Sequence, residues 1–156
     1  MKKLVTILLF SVSFVSFAQR KLPPIKTKPK VDTVMAKMLG ADEYGMKKYV
    51  MCFLKTGPNK SLAKDSVNKI LAAHLKNISR LAAQGKLAIA GPFTDGTELE
   101  GIFIFNVATV EEAKKLTDTD PGVQTGIFSV ELHPWYGSAA LMQVPVIHKK
   151  IQRKQF

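Results

Sequence analysis

Cysteine is almost absent from this chain, since Cys52 is the only one among 156 residues. No internal disulfide can therefore form, which excludes a disulfide-stabilised scaffold. Cys52 lies inside the apolar run 49–54, as a buried and inert thiol would. A nucleophilic cysteine needs an electropositive and accessible setting, and these apolar neighbours supply none.

A glycine-rich phosphate-binding loop is missing as well. No such loop follows a strand pattern, so we expect no nucleotide cofactor. His74, Glu131 and His133 have the chemistry of metal ligands, but their spacing is not that of a metal motif. We therefore expect neither a cofactor nor a metal ion.

Acidic residues are scarce, at 12 against 23 basic ones. The excess lies at the two ends, because residues 47–147 carry 11 basic and 9 acidic side chains. A nucleic-acid-binding protein is expected to carry a basic stripe on the fold itself, so we expect no nucleic-acid partner. The basic ends, with His148 among the final lysines, are typical of solvated segments, and contact with anionic lipid or envelope polymers is the alternative.

The longest apolar run at the start of the chain, residues 4–15, is shorter than the roughly 20 residues of a spanning helix. Two lysines precede it and a Ser-Phe-Ala sequence follows it, ending at Ala18. This pattern predicts a secretory signal peptide over residues 1–18, with a membrane anchor as the alternative. We expect an exported protein, periplasmic or secreted, with no stable membrane insertion after cleavage. A mature N terminus other than Gln19 would contradict this.

The length suits one domain. Residues 19–46 form a leader rich in proline and lysine, with a short amphipathic helix predicted over 31–39 and ended by Gly40. The domain is predicted over 47–136, and a basic tail over 137–156.

Periodicity within the domain predicts four strands and two helices. Thr109 and Glu112 have the spacing of a capping box at the start of the second helix. The order is β-α-β-β-α-β, which predicts a ferredoxin-like α+β fold with a four-stranded antiparallel sheet and two helices on one face. The strands are expected at 48–54, 87–90, 101–107 and 127–132, and the helices at 65–84 and 110–117.

Two of the strands, 48–54 and 101–107, are apolar on both faces, although helices cover only one face of such a sheet. An exposed apolar face is a large adhesive patch on a soluble protein. We therefore expect a second subunit to pack sheet against sheet, giving a homodimeric α+β barrel.

Several short sequences follow one another over residues 47–136: Ala73-His74-Leu75, Gly85-Lys86-Leu87, AGPFTDG at 90–96, Glu111-Glu112-Ala113, Asp120-Pro121, Gly126 and VELHPW at 130–135. Together and in this order they resemble the signature of the YCII-related family. The resemblance implies a dimeric ferredoxin-like barrel and a pocket with a paired histidine and aspartate, here His74 and Asp95. The same superfamily includes muconolactone isomerase-like enzymes and a dehydrochlorinase acting on a chlorinated hydroxyquinol. The export signal, leader and tail depart from the family pattern.

Read from the residues alone, His74 shares the apolar face of the long helix with Val67 and Leu71, and Asp95 follows the turn after the second strand. A carboxylate beside an imidazole makes a general base, or an acid once protonated. Without a serine placed at the histidine, isomerisation or elimination fits better than hydrolysis. The alternatives are a core histidine and a plain turn aspartate.

Other polar residues have two interpretations each. Ser129, Glu131 and His133 alternate on one face of the last strand, where they line the same pocket or form an exposed or interfacial edge. Asp120 precedes Pro121 and shapes a turn or contacts the site. Trp135 is expected to pack.

The sequence thus predicts a small cofactor-independent enzyme that uses His74 and Asp95 for proton transfer on a small organic molecule. The alternative is a non-enzymatic envelope module that binds a ligand or a partner. The sequence does not give the substrate.

Overall fold

A computed structural model describes residues 30–154. The predicted signal peptide and residues 19–29 of the Pro/Lys-rich leader lie outside this range. Within it, no helix has the length and hydropathy needed to cross a membrane. The predicted short helix is present as α1 (Thr33–Leu39): the side chain of Asp32 caps its first turn, and Gly40 ends it at a φ of 70°.

A four-stranded antiparallel sheet confirms the predicted α+β fold. Its strands lie in the order β2-β3-β1-β4, so β1 is central. The last strand runs beyond its predicted end at residue 132 and pairs with β1 along its whole length. The strands are β1 (Met46–Thr56), β2 (Leu87–Pro92), β3 (Leu99–Phe105) and β4 (Phe128–Ser138).

The two main helices are α2 (Lys64–Ala83) and α3 (Val110–Thr117). The predicted capping box is confirmed, because the Thr109 hydroxyl accepts from the Glu112 N–H and the Glu112 carboxylate accepts from the Thr109 N–H, both at 3.2 Å. A third, one-turn helix, α4 (Pro121–Gln124), begins where only a turn was predicted. Asp120 caps it and proline occupies its first position, both of which favour a helix start.

The main core lies between α2, α3 and one face of the sheet. Alternate residues of β1 point into it, as expected for an extended strand. Its buried members are Val50, Cys52, Leu54, Leu81, Leu87, Phe103, Phe105 and Ala113.

A smaller core lies on the second face of the sheet, around the buried Tyr49, Ala88 and Ile104. Leu141 and Met142 pack against it. They belong to a 3₁₀ helix (Ala139–Gln143), which α5 (Val144–Ile151) follows. The segment assigned to a basic tail, 137–156, therefore includes the end of β4 and these two helices, and its apolar residues cover part of the second face.

The rest of the second face is half-buried and mixed in character. Met51, Phe53 and Ile102 lie farther along it. On the neighbouring β4, Glu131 forms an ion pair with Lys55, and its Oε1 lies 2.8 Å from Nε2 of His133.

Candidate functional site

A buried imidazole–carboxylate pair joins α2 to the residue before α4. Nδ1 of His74 lies 2.7 Å from Oδ2 of Asp120. The two residues are 8% and 1% exposed. Because an ionised carboxylate has no proton to donate, Nδ1 is the donor and the second ring nitrogen, Nε2, keeps its lone pair when the ring is neutral.

The local turn of α4 fixes the Asp120 carboxylate. Its other oxygen, Oδ1, accepts from the Gly122 N–H at 2.8 Å. Position 122 requires glycine because the Phe128 ring lies close to its backbone. A Cβ there would lie 2.4 Å from the Phe128 ring and 3.2 Å from Oδ1 of Asp120. Both carboxylate oxygens are thus hydrogen-bonded.

A second polar network ties the same segment to α2. The guanidinium of Arg80 donates to Oδ1 of Asn77 at 2.6 Å and to the hydroxyl of Thr119 at 2.9 Å. Thr119 directly precedes Asp120, and its hydroxyl donates to the Leu116 carbonyl at 2.7 Å. These contacts restrict how far Asp120 can move from the helix that carries His74.

Two phenylalanines flank the imidazole. The ring of Phe103 lies nearly parallel to it, with centroids 5.9 Å apart, and the ring of Phe128 is tilted, with centroids 5.0 Å apart. These apolar walls strengthen the polar contact of His74, because electrostatic interactions weaken less in a low-dielectric setting.

Nε2 of His74 is the open position of the pair. No side chain or backbone group of residues 30–154 forms a hydrogen bond with it. In the same range, every fully buried side-chain nitrogen or oxygen has a hydrogen-bond partner. Nε2 is therefore not fully buried. The arrangement provides one held nitrogen and one nitrogen free to exchange a proton.

Cys52 lies near this pair but is not a nucleophile. Burial, and secondarily the negative charge of Asp120, raises the pKa of its thiol to about 12. The thiol therefore stays protonated at neutral pH, and its predicted burial is confirmed by an exposure of 0%.

The structure corrects the predicted partner of His74. Asp95 lies in the exposed loop after β2, where its carboxylate accepts from the backbone N–H and hydroxyl of Thr97 at 3.2 and 3.0 Å. β2 is the edge strand farthest from β4, whereas His74 packs beside the first residue of β4. The carboxylate at His74 is that of Asp120, which the sequence offered as a turn residue or a site contact.

Ser129, Glu131 and His133 lie on the sheet face opposite His74, with the ring of His133 against Phe53 at 5.8 Å. They therefore do not line the same site. Hydrogen bonds from Lys55 and His133 lower the pKa of the Glu131 carboxyl. On the same face, Trp135 packs on Tyr49 with centroids 5.9 Å apart, which confirms its predicted packing role.

Residues 30–154 contain no group of three histidine, cysteine or acidic side chains arranged to hold a metal ion. His74 and Asp120 together offer two ligands, and the Asp120 oxygens are already hydrogen-bonded. The pair suits proton transfer better than metal binding.

The chain matches the YCII-related domain family over residues 48–136. It belongs to the YCII-related family. The matched range holds both His74 and Asp120. This YCII-related chain is 31% identical over 65 residues to the uncharacterized protein YjpA of Bacillus subtilis (strain 168), covering 42% of this chain and 74% of that protein.

A solved structure also shows similarity to this YCII-related chain. It is the 5-chloro-2-hydroxyhydroquinone dehydrochlorinase TftG of Burkholderia phenoliruptrix AC1100, in complex with 2,5-dihydroxybenzoquinone. The two are 20% identical, with a TM-score of 0.42, over 55% of this chain and 92% of that one.

The sequence did not identify three residues that contact the His74–Asp120 pair. Phe103 and Phe128 were counted only as apolar strand residues, and nothing local marks them as neighbours of His74. Gly122 had a usable signal, because Asp-Pro-Gly after a helix combines a capping residue, a helix-initiating proline and a residue without Cβ.

We predict that Gly122→Ala destabilises the protein by about 1–3 kcal/mol, because the added methyl group overpacks the Phe128 ring. Gly91→Ala is the matched control, since a Cβ there meets nothing within 4 Å. Urea unfolding of both variants measures the difference. Equal stabilities would contradict the close approach described for Gly122.

Proposed function

We propose that this YCII-related protein is a cofactor-independent enzyme in which His74 exchanges a proton with a small organic substrate and Asp120 orients His74. The observation that supports the proposal is that the two ring nitrogens of His74 have different surroundings. Nδ1 forms a hydrogen bond with a buried carboxylate, whereas Nε2 is not fully buried and has no hydrogen-bond partner among the described residues. Export of the mature chain from Gln19 is part of the proposal.

The pair has the chemistry of a general base. The Nε2 lone pair takes a proton from a carbon made acidic by an adjacent carbonyl group, and the electron pair of the broken C–H bond moves onto the carbonyl oxygen. The imidazolium that forms is stabilised by the Asp120 carboxylate, which itself stays unprotonated. In an isomerisation, Nε2 returns the proton to a different carbon. In an elimination, the electron pair instead expels a leaving group.

The surroundings favour a small substrate with an apolar or aromatic part. Phe103 and Phe128 flank the imidazole, and aromatic faces pack well against other rings. Phenols, lactones and small cyclic keto acids combine such a part with an acidic C–H or O–H group. We infer this substrate class from the site alone.

A ligand screen followed by isotope exchange tests the proposal and requires no assumption about which reaction the enzyme completes. Ligands are first found by thermal shift, because binding to the folded state raises Tm. Each is then incubated with the protein in D₂O, and NMR follows replacement of its acidic C–H by deuterium. We predict exchange with the unaltered protein, and a rate lower by a factor of about 10²–10⁴ in His74→Gln, the usual contribution of a general base.

Asp120→Asn and Asp95→Asn form a matched pair for the same assay. An asparagine at 120 can donate to Nδ1 and so moves the ring proton to Nε2, which removes the base while leaving the shape intact. We expect Asp120→Asn to lose exchange and Asp95→Asn to keep it. Equal deuterium exchange in all variants would contradict the enzymatic proposal. A screen in which no ligand binds and His74→Gln only unfolds the protein would contradict it too. Either result would favour the non-enzymatic envelope module.

We also propose that two copies pack through the uncovered part of the second sheet face. Met51, Phe53 and Ile102 remain half-buried there, and of the three only Met51 packs against the second core. Burial of such side chains favours association by about 25 cal/mol per Å² of apolar surface.

Phe53→Asp tests this contact. It places a carboxylate opposite Glu131 across the β1–β4 pair and within the apolar patch, so it should convert a dimer into a monomer. Leu75→Asp, at a 38% exposed position of α2, is the control and should stay dimeric. Sedimentation velocity at micromolar concentration gives the mass, and a monomeric unaltered protein would refute the proposal.

A further inference from the structure

A groove runs beneath α5, between that helix, the end of α2 and the edge strand β2. Two cavities make it up, of about 440 and 340 Å³. Ala82, Ala83, Leu87, Pro145 and Lys149 line both, so the two cavities adjoin each other. Each is large enough for a small ligand, since small-molecule sites span about 300–1,000 Å³.

The walls of the groove are apolar. The floor comes from β2, where Leu87 and Ala88 are buried and Ile89 is half-buried. α2 adds Ile78 and alanines, whose small side chains leave the space open. A linear apolar group would bury its surface along such a channel at about 0.8 kcal/mol per methylene, which corresponds to about fourfold in affinity.

Lys149 gives the groove a positive charge. It lies on α5 with His148, and the remaining polar lining of the larger cavity consists of Ser79 and Gln152. Among residues 30–154, none of the side chains that line either cavity is acidic. A negative group in the groove would therefore face the Lys149 cation without a competing carboxylate from these residues.

We propose that this groove binds a free medium-chain fatty acid, with the acyl chain along β2 and the carboxylate beside Lys149. The apolar lining accommodates an acyl chain, and the charge of Lys149 favours a carboxylate head. The site is separate from the proposed proton-transfer pair, because neither His74 nor Asp120 lines the groove. The proposal therefore does not depend on the enzymatic function.

Isothermal titration of the full chain with sodium dodecanoate, kept below its micellar concentration, tests the site. The affinity should rise from octanoate to dodecanoate by at least tenfold, which is less than four fully buried methylenes would give. Dodecyltrimethylammonium has the same chain with a cationic head and should bind more weakly than dodecanoate. The difference between the two should shrink with added salt, because salt screens the contact with Lys149.

Four variants locate the binding. Lys149→Ala should weaken dodecanoate binding by about two- to fivefold, the range of an exposed charge pair, whereas Lys150→Ala, which removes the same charge from the same helix outside the groove, should not change it. Ala83→Phe should block the channel and lower the affinity more than tenfold. Ala72→Phe is its control, at an exposed position three turns earlier on α2, about 16 Å away.

Three outcomes would overturn the proposal. Equal binding of dodecanoate and dodecyltrimethylammonium would show that Lys149 does not recognise the carboxylate head group. Equal affinities of Ala83→Phe and Ala72→Phe would place the ligand elsewhere. Binding to vesicles of anionic phospholipid, without binding to monomeric dodecanoate, would show that α5 recognises a membrane surface instead of a single fatty acid.

Discussion

The buried carboxylate of Asp120 constrains more of this structure than any other group. A carboxylate that is 1% exposed costs several kcal/mol of desolvation unless charged or polar partners satisfy it. Here His74 supplies one partner from α2 and the Gly122 backbone supplies the other. Because Gly122 must lack a Cβ to approach Phe128, the same contact sets the spacing between α4 and β4. The proposed chemistry uses this arrangement, since the interaction that stabilises the fold also leaves Nε2 with a free lone pair.

The two faces of the sheet solve different packing problems. On one face, α2 and α3 close the main core and hold the His74–Asp120 pair. On the other, the residues after β4 return as two short helices and bury Tyr49, whose hydroxyl donates to the Ser138 carbonyl at 3.0 Å. This cover is partial. It leaves an apolar patch toward Phe53 for the proposed second copy, and it creates the groove beneath α5.

The sequence predicted what depends on local pattern. Helix periodicity, the Thr109–Glu112 capping box and the apolar run of β1 indicated the order and type of the main elements. It did not predict the partner of His74, because that depends on which loop the topology brings beside α2. Asp95 and Asp120 both lie in turn-like sequences, and only the strand order β2-β3-β1-β4 puts one far from Phe128 and the other next to it. The packing of residues after β4 was hidden for a similar reason. The lysines of α5 suggested a solvated tail, and Leu141 and Met142 of the 3₁₀ helix find their role only against a sheet face.

The proposed chemistry requires Asp120 to hold the proton of His74 on Nδ1 and to leave Nε2 free. The ¹⁵N NMR spectrum of the His74 ring at about pH 8, above the ordinary titration range of histidine, reports this directly and is assigned by comparison with His74→Gln. We expect a protonated Nδ1 and an unprotonated Nε2, with the two roles exchanged in Asp120→Asn. A proton on Nε2 in the unaltered protein, or a spectrum that Asp120→Asn does not change, would contradict it.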